Sequence, residues 1–274
     1  MKRIAILLVA VLLILTVLSS CVREPEGIDA VRENMKYIVH AAGTLTGVDL
    51  DGRERTYDGS NSREGLVQCL EAGCQVIEID FNFTSDGELA CIHDWYQYYA
   101  PEITDGVPLT LEEFLGVKIF RNFTPICLDD IAEFLRENEG IYIVTDIKDD
   151  NIRGLEKIAE TCPDLLDRFI VQIYSEEEYT PAREMGFDYI IYTLYRLDWA
   201  GKTDWEHLGE FEKKNPLVGI TFGYTLIDDA EGYLEGMLSL DVPLYIHTVN
   251  GAEEQQKYFR MGIDGIYTDD VVAD

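Results

Sequence analysis

The feature that most constrains the fold is a regular alternation of short apolar runs with amphipathic stretches, which begins at Lys36 and continues to residue 268. Short apolar runs are typical of buried strands, and longer amphipathic stretches are typical of helices that cover a sheet. This alternation predicts a parallel sheet with crossover helices. The predicted strands are residues 37–40, 76–83, 89–93, 141–147, 169–174, 189–194, 217–222, 244–249 and 265–268.

Nine predicted strands are one more than an eight-stranded barrel needs, and the extra strand lies between 76–83 and the next crossover. The connection from 76–83 to 89–93 is short and contains Asp86-Gly87, which is a hairpin signal. A parallel return needs about a dozen linking residues. Residues 89–93 should therefore fold back antiparallel, which leaves eight parallel strands. The sequence predicts the α/β class and a single (β/α)8 TIM barrel, with residues 95–125 as a lid over its mouth.

The N-terminus predicts export from the cytoplasm. Lys2-Arg3 and an apolar run over residues 4–18 are typical of a secretory signal peptide, and the run is short for a permanent membrane span. The run ends in Leu18-Ser19-Ser20-Cys21, which resembles the bacterial lipoprotein box. In that family the cysteine receives a diacylglyceryl group, so Cys21 is the predicted lipidation site. An ordinary signal peptide that precedes a cysteine by chance is the alternative.

These signals divide the chain into a signal peptide (1–20), a polar tether (21–34) and one barrel domain (35–274). Removal of residues 1–20 leaves 254 of the 274 residues, a length that suits one such barrel. The expected location is extracytoplasmic, on the cell membrane, with the lipid at Cys21 as the attachment.

The mature chain is strongly acidic. With Lys2 and Arg3 removed, 20 of the 22 basic residues remain against 52 acidic ones. Such a charge repels nucleic acid and anionic lipid headgroups and attracts cations. Nucleic acid is therefore not an expected partner. The five cysteines after Cys21 include no closely spaced metal-binding pair and are interpreted as buried apolar residues.

Polar side chains collect at the predicted carboxyl ends of the strands, where barrels of this kind carry their active sites. Glu78 and Asp80 lie two residues apart on one strand and so point the same way, as do Asp146 and Lys148 on another. Buried carboxylates require a paired cation. Oxygen ligands favour Ca²⁺ or Mg²⁺, and the predicted metal ligands are the three carboxylates.

Histidines end three of the predicted strands: His40, His93 and His247. Imidazoles transfer protons near neutral pH, and a divalent cation with two imidazoles suits phosphodiester cleavage. His40 and His93 are the predicted catalytic pair. Lys148 is positioned to contact an anionic oxygen of the substrate.

Eight short motifs occur in a fixed order along the barrel. They are His40-Ala41-Ala42-Gly43, Asn61-Ser62, Glu78-Ile79-Asp80, Thr84-Ser85-Asp86-Gly87, His93-Asp94, Asp146-Ile147-Lys148, His247-Thr248-Val249-Asn250 and Gly262-Ile263-Asp264-Gly265-Ile266-Tyr267-Thr268-Asp269. The ordered set resembles the glycerophosphodiester phosphodiesterases over about residues 36–270.

The resemblance implies a barrel of the PLC-like phosphodiesterase type and a role for each matching residue. His40 and His93 match the acid/base pair of the family, and Glu78 and Asp80 match metal ligands. Asp146 occupies the place of a third ligand that is usually Glu. Lys148 matches a lysine that neutralises phosphate. In the family, a neighbouring hydroxyl of the substrate attacks phosphorus, so a small phosphodiester is the implied substrate.

Three positions depart from the family pattern. Ala41 stands where the family has an arginine, His247 replaces a tryptophan that lines the glycerol pocket, and Asp146 is one methylene shorter than Glu. Loss of the arginine removes a bidentate phosphate clamp. Arg63, Arg196 or His247 is the predicted source of the missing positive group, with Arg196 and His247 assigned to phosphate or substrate binding together with Lys148.

Three functions are compatible with this sequence. The first is metal-dependent hydrolysis of a glycerophosphodiester or a related small phosphodiester. The second is a phospholipase C- or D-like activity on intact lipid, which the acidic charge disfavours. The third is a lipoprotein that binds a ligand without turnover, and Ala41 is the main argument for it.

Overall fold

The computed structural model describes residues 27–272, and its central feature is a barrel of eight parallel strands. The strands in chain order are β1 (Tyr37–Val39), β2 (Leu45–Val48), β3 (Glu54–Tyr57), β4 (Val76–Phe83), β5 (Leu89–Cys91), β6 (Tyr142–Ile147), β7 (Phe169–Ile173), β8 (Tyr189–Thr193), β9 (Gly219–Gly223), β10 (Leu244–His247) and β11 (Gly265–Thr268). Strand β1 pairs with both β11 and β4, which closes the barrel. The predicted (β/α)8 fold is confirmed.

Helices connect the barrel strands on the outside. They are α1 (Ile28–Glu33), α2 (Arg63–Ala72), α3 (Leu111–Leu115), α4 (Leu128–Glu137), α5 (Asn151–Thr161), α6 (Tyr179–Glu184), α7 (Trp199–Lys202), α8 (Trp205–Lys214), α9 (Thr225–Asp229), α10 (Tyr233–Met237) and α11 (Ala252–Arg260). Side-chain caps fix several starts, as where Ser62 accepts from the Gly65 amide at the start of α2. Between β9 and β10 the chain forms two short helices, α9 and α10, with Gly232 in a left-handed conformation (φ 79°) between them.

Strand β5 folds back on β4, as the short connection predicts. The two strands pair antiparallel, with Phe81 opposite Cys91, and β4 pairs on its other side with β6 in parallel. In that parallel register Asp80 lies opposite Asp146. The pairing therefore brings carboxylates from two strands to one level of the barrel.

A second hairpin, β2 with β3, was not among the predicted strands. Its strands pair antiparallel, and β3 has the sequence Glu-Arg-Thr-Tyr with three exposed residues, so it gives no apolar strand signal. The hairpin packs against the segment that follows His93. Together they form a small core of their own that includes Leu45, Trp95 and Phe120.

The prediction of a polar tether over residues 21–34 is wrong for its last part, because residues 28–33 form α1. Ile28 and Val31 are buried together with the first residues of the barrel strands, and Arg32 donates hydrogen bonds to the carbonyl groups of Leu217 and Val218. The apolar contacts hold α1 against the amino-terminal end of the barrel. Residues 1–26, with the predicted signal peptide and Cys21, lie outside the described residues.

Two smaller observations concern cysteines and membrane segments. The described cysteines, Cys69, Cys74, Cys91, Cys127 and Cys162, are buried, which agrees with their interpretation as apolar core residues. Between residues 27 and 272 the structure has no helix that is both long enough and apolar enough to span a bilayer.

The turn after β1 depends on a close contact with α2. Ala41 and Ala42 both have positive φ, at 46° and 62°, a conformation that costs free energy in residues with a side chain. A Cβ atom on Gly65 would lie 2.8 Å from both the Cβ and the carbonyl oxygen of Ala42. Glycine at position 65 therefore lets the helix approach the turn that carries His40.

We predict that Gly65→Ala lowers the free energy of unfolding by about 1–2 kcal/mol, because overpacking at this contact exceeds the gain in helix propensity. Gly209→Ala is the matched control: this helical glycine has only an ordinary contact, 3.5 Å from Leu240, and should become more stable by about 0.5–1 kcal/mol. Urea unfolding measures both. Equal effects of the two substitutions would contradict the close approach.

Candidate active site

Three carboxylates meet at the carboxyl end of the barrel. Glu78 and Asp80 lie on β4 and Asp146 lies on β6, and a ligand oxygen from each falls within 4.8 Å of the others. Glu78 and Asp80 are each 1 % exposed. The predicted metal-ligand set is thus brought together by the strand register.

Hydrogen bonds hold these carboxylates in place, except at Glu78 Oε1 and at Asp80 Oδ1, and the latter forms an ion pair with Lys148. Glu78 Oε2 accepts from the Ala41 amide at 2.7 Å, and Asp80 Oδ2 accepts from the Asn61 side chain at 2.8 Å. The Tyr174 hydroxyl donates to Asp146 Oδ1. Glu78 Oε1 is buried and has no hydrogen-bond partner among the described residues.

Lys148 joins the same cluster. Its Nζ lies 2.6 Å from Asp80 Oδ1 and 2.7 Å from Asp146 Oδ2. Burial opposes the charge on this lysine, but the carboxylates of Asp80 and Asp146 outweigh it and raise its pKa. One ammonium group therefore faces three carboxylates, two of them buried and one partly buried, and this excess of negative charge favours a further cation.

The donor set fits a divalent cation. Burial and the charge of Asp80 raise the pKa of Glu78 to about 8. The ionised form of this carboxylate is therefore unfavourable unless a further positive charge lies beside it. Its free Oε1 is the kind of buried atom that a metal ion would satisfy. Three carboxylate oxygens with no sulfur or imidazole nitrogen are the ligands that Mg²⁺ and Ca²⁺ prefer.

His40 lies beside the carboxylate cluster, at the end of β1. Its Nδ1 is 2.7 Å from Asp269 Oδ1, and since an ionised carboxylate only accepts, Nδ1 is the donor. Burial opposes protonation, but the bond to Asp269 and the charges of Glu78 and Asp80 raise the pKa of His40 to about 9. The ring thus holds a proton well and keeps Nε2 free for substrate.

His93, which follows the antiparallel strand β5, is also bonded to a carboxylate. Its Nδ1 lies 2.5 Å from Asp94 Oδ2, and its carbonyl group accepts from Asn82. The bond from Asn82 holds His93 against β4, the strand that carries Glu78 and Asp80. His93 is more exposed than His40, with 43 % of its side chain accessible against 32 %.

His247 does not replace the positive charge missing at Ala41. Burial, followed by the charge of His40, lowers the pKa of His247 to about 4, so its ring is neutral near neutral pH. Its Nδ1 lies 3.2 Å from the Thr221 hydroxyl. His247 lines the central cavity as a neutral polar side chain.

The two candidate arginines have different places in the structure. Arg63 pairs with Asp130 at 2.5 Å and lines a separate cavity of about 300 Å³ between α2 and α4, outside the barrel. Its proposed role at phosphate is therefore wrong. Arg196 stacks on the Tyr174 ring at 3.6 Å, and Tyr174 in turn donates to Asp146, so Arg196 lies at the rim of the site.

Between these groups lies a small central cavity of about 70 Å³. It is lined by His40, Glu78, Asp146, Gln172, Tyr195, His247, Thr248 and Tyr267. Tyr174, Tyr195 and Tyr267 were missed from the sequence. Their position at strand ends was the available signal, but tyrosine is common in strands and so does not identify a site by itself.

A parallel barrel with acidic residues and carboxylate-paired histidines at its carboxyl end has the plan of a barrel hydrolase. Among solved structures, the fold is similar to a glycerophosphoryl diester phosphodiesterase from Parabacteroides distasonis (TM-score 0.64, 15 % identity, 90 % of this chain and 89 % of that one). It is also similar to the glycerophosphodiester phosphodiesterase of Thermotoga maritima (TM-score 0.61, 17 %, 86 % and 95 %). An Oleispira antarctica phosphodiesterase in complex with the product sn-glycerol-3-phosphate is similar as well (TM-score 0.59, 14 %, 85 % and 92 %).

The comparison with protein families identifies the family. Residues 52–273 match the glycerophosphoryl diester phosphodiesterase family. No curated protein matches the chain. The chain belongs to the glycerophosphoryl diester phosphodiesterase family, a family of phosphoric diester hydrolases.

We predict that Mg²⁺ or Ca²⁺ raises the melting temperature of the protein. A cation that binds only the folded state at about 100 times its Kd adds about 2.7 kcal/mol of stability. Glu78→Gln removes the unpartnered carboxylate and should abolish this shift. Glu133→Gln, on the exposed face of α4, is the control and should retain it.

Differential scanning calorimetry after dialysis against EDTA measures the shift. A melting temperature that responds to neither cation, or that rises equally in Glu78→Gln, would show that the three carboxylates do not form a metal site.

Proposed function

We propose that this chain hydrolyses a glycerophosphodiester, or a closely related small phosphodiester, into a phosphomonoester and a free alcohol. The observation that carries this proposal is the cluster of three carboxylates with Lys148 at the carboxyl end of the barrel, together with two histidines, His40 and His93, that each bond through Nδ1 to a further carboxylate. The sn-glycerol-3-phosphate held by the Oleispira antarctica relative supports glycerol as the retained half of the substrate.

His40 and His93 move the protons. Asp269 and Asp94 keep the Nδ1 proton on each ring, so Nε2 exchanges protons with the substrate. His93 accepts the proton of the neighbouring glycerol hydroxyl as its oxygen bonds to phosphorus. His40, whose pKa the nearby carboxylates raise, donates a proton to the leaving oxygen as its bond to phosphorus breaks, which frees the alcohol and leaves a cyclic phosphodiester. Water then attacks the cyclic diester with the histidines in reversed roles: His40 accepts a proton of the water, and His93 returns its proton to the glycerol oxygen as the ring opens to the phosphomonoester.

Glu78, Asp80 and Asp146 are the residues that would hold Ca²⁺ or Mg²⁺. When bound, such an ion neutralises negative charge on the phosphoryl oxygens and on the surrounding carboxylates. Lys148 adds a fixed positive charge at the same place, and Asn61 and Tyr174 keep Asp80 and Asp146 oriented. Arg196 at the rim, with neutral His247 on the cavity wall, contributes to binding the substrate.

The proposal predicts turnover that depends on both histidines and on a divalent cation. His40→Gln and His93→Gln should each lower kcat by about 100- to 10,000-fold, because proton transfer to or from the substrate is lost. EDTA should abolish turnover, and Mg²⁺ or Ca²⁺ should restore it. The measurement is alcohol release from a panel of glycerophosphodiesters, with and without chelator.

His207→Gln is the matched control, since His207 is an exposed residue of α8 that pairs with Glu176 away from the cavity. Turnover that survives in both catalytic variants would contradict the assignment. Tight binding of a diester by the wild-type protein, without turnover in the presence of the cation, would support instead the ligand-binding function that Ala41 suggests.

We also propose that the mature chain is attached to the outer face of a membrane through lipid on Cys21. The support is the sequence Leu18-Ser19-Ser20-Cys21 after a basic start and an apolar run. Two acyl chains are sufficient for stable attachment. The substrate would then be met outside the cytoplasm.

Expression in a bacterial host tests this attachment. The wild-type chain should partition into the detergent phase and gain the mass of a lipid at its N-terminus, whereas Cys21→Ser should partition into water. Equal partitioning of the two proteins would leave an ordinary signal peptide as the explanation.

A further inference from the structure

Two polar side chains on the wall of the central cavity have donor groups that the rest of the protein does not use. Gln172 and Tyr267 both line this cavity, together with Glu78 and Asp146. Gln172 is 4 % exposed and Tyr267 is 3 % exposed, so neither is a surface group. Neither side chain takes part in the proton transfers or belongs to the carboxylate cluster.

The Tyr267 hydroxyl is buried and has no hydrogen-bond partner among residues 27–272. Tyr267 faces into the barrel, since the next residue, Thr268, faces outward and accepts at its hydroxyl from the Gln255 side chain on α11. The rings of Tyr267 and His247 are nearly perpendicular, with centroids 6.1 Å apart. Burial raises the pKa of Tyr267, so its hydroxyl keeps a proton to donate. An unpaired buried hydroxyl costs free energy, and beside an active site it points to a ligand that pairs with it.

The Gln172 side chain is bonded at one end only. Its Oε1 accepts from the Thr193 hydroxyl on the next strand, β8, at 2.5 Å. Its Nε2 makes no hydrogen bond with any residue in the described part of the chain. An amide nitrogen of this kind can only donate. The cavity wall therefore carries a second donor that has no acceptor.

Two unused donors fit a group that only accepts hydrogen bonds. The non-bridging oxygens of a phosphodiester are such acceptors, whereas a hydroxyl group of the substrate both donates and accepts. A cation held by Glu78 and Asp146 would draw the phosphoryl group into the same cavity. Gln172 and Tyr267 thus line the space in which the phosphoryl oxygens would lie.

The phosphoryl group needs such donors because Ala41 stands where the family pattern has an arginine. Lys148 supplies a positive charge, but its ammonium group already pairs with Asp80 and Asp146. His247 is neutral. Hydrogen bonds to a charged group are about twice as strong as those between neutral groups, so neutral donors can perform part of the role of the arginine.

We propose that Tyr267 and Gln172 bind the non-bridging phosphoryl oxygens of the diester as neutral hydrogen-bond donors, in place of the arginine that is absent at position 41. The Tyr267 hydroxyl and the Gln172 Nε2 each donate to one oxygen. The inference rests on the proposed function and adds two substrate-contacting residues to it. Because the barrel holds both side chains in place before the substrate binds, they need little reorganisation when the phosphoryl group enters.

Isothermal titration calorimetry with Mg²⁺ present measures the binding of inorganic phosphate and of sn-glycerol 3-phosphate. Tyr267→Phe should weaken both ligands about ten- to a hundredfold, which corresponds to the loss of one hydrogen bond to a charged group. Its melting temperature without ligand should not fall, because the hydroxyl has no partner to lose in the free protein. Gln172→Met should weaken both ligands to a similar degree, but it should also lower the melting temperature because the Thr193 hydroxyl loses its acceptor.

Tyr233→Phe is the matched control. The Tyr233 hydroxyl is also buried and without a hydrogen-bond partner in the described residues. Tyr233 lies on α10, where it packs against Trp205 and Phe222, and it does not line the central cavity. This variant makes the same chemical change at a distance from the phosphoryl group and should keep both affinities.

Unchanged affinities in Tyr267→Phe or in Gln172→Met would overturn the assignment of that residue. A loss for sn-glycerol 3-phosphate alone would also overturn it, because the donor would then contact glycerol and not phosphorus. If the wild-type protein hydrolyses no diester but the two variants still weaken both ligands, the proposed function fails and the donor assignment stands. If the wild-type protein binds neither ligand, both fail.

Discussion

The arrangement of this molecule depends on the presence of three carboxylates in the interior of a barrel. Ionised groups removed from water are costly unless they are paired, and the surrounding residues offset this cost through hydrogen bonds and an ion pair. The Ala41 amide, the Asn61 side chain and Lys148 each satisfy part of the cluster. Glu78 Oε1 has no hydrogen-bond partner among residues 27–272, and the divalent cation that we propose would supply one.

Neighbouring charges also determine the orientation and protonation of the histidines. Asp269, which is 229 residues away in sequence, orients His40, and Asp94, the next residue in the chain, orients His93. His247 shows the contrast, because burial without a carboxylate partner keeps it neutral. His40 therefore holds its proton while His247 is neutral, and the difference comes from the side chains that surround each ring.

Much of this arrangement could be predicted because it follows from local patterns. The short Asp-Gly connection predicted that 89–93 returns antiparallel, and the two-residue spacing of Glu78 and Asp80 placed both on one strand face. The β2–β3 hairpin could not be found, because β3 carries polar residues and is stabilised by contacts with a distant segment. The sequence of residues 28–33 predicts a tether and not a helix, because two buried apolar side chains are too few to show a helical period.

The sequence by itself determined the barrel, the order of its strands and which polar residues stand at strand ends, since these depend on periodicity and on spacing along the chain. Only the tertiary structure decided which charges meet. It paired Arg63 with Asp130 outside the barrel and joined Tyr174 and Lys148 to Asp146. Interactions between side chains far apart in sequence depend on distances that no local pattern contains.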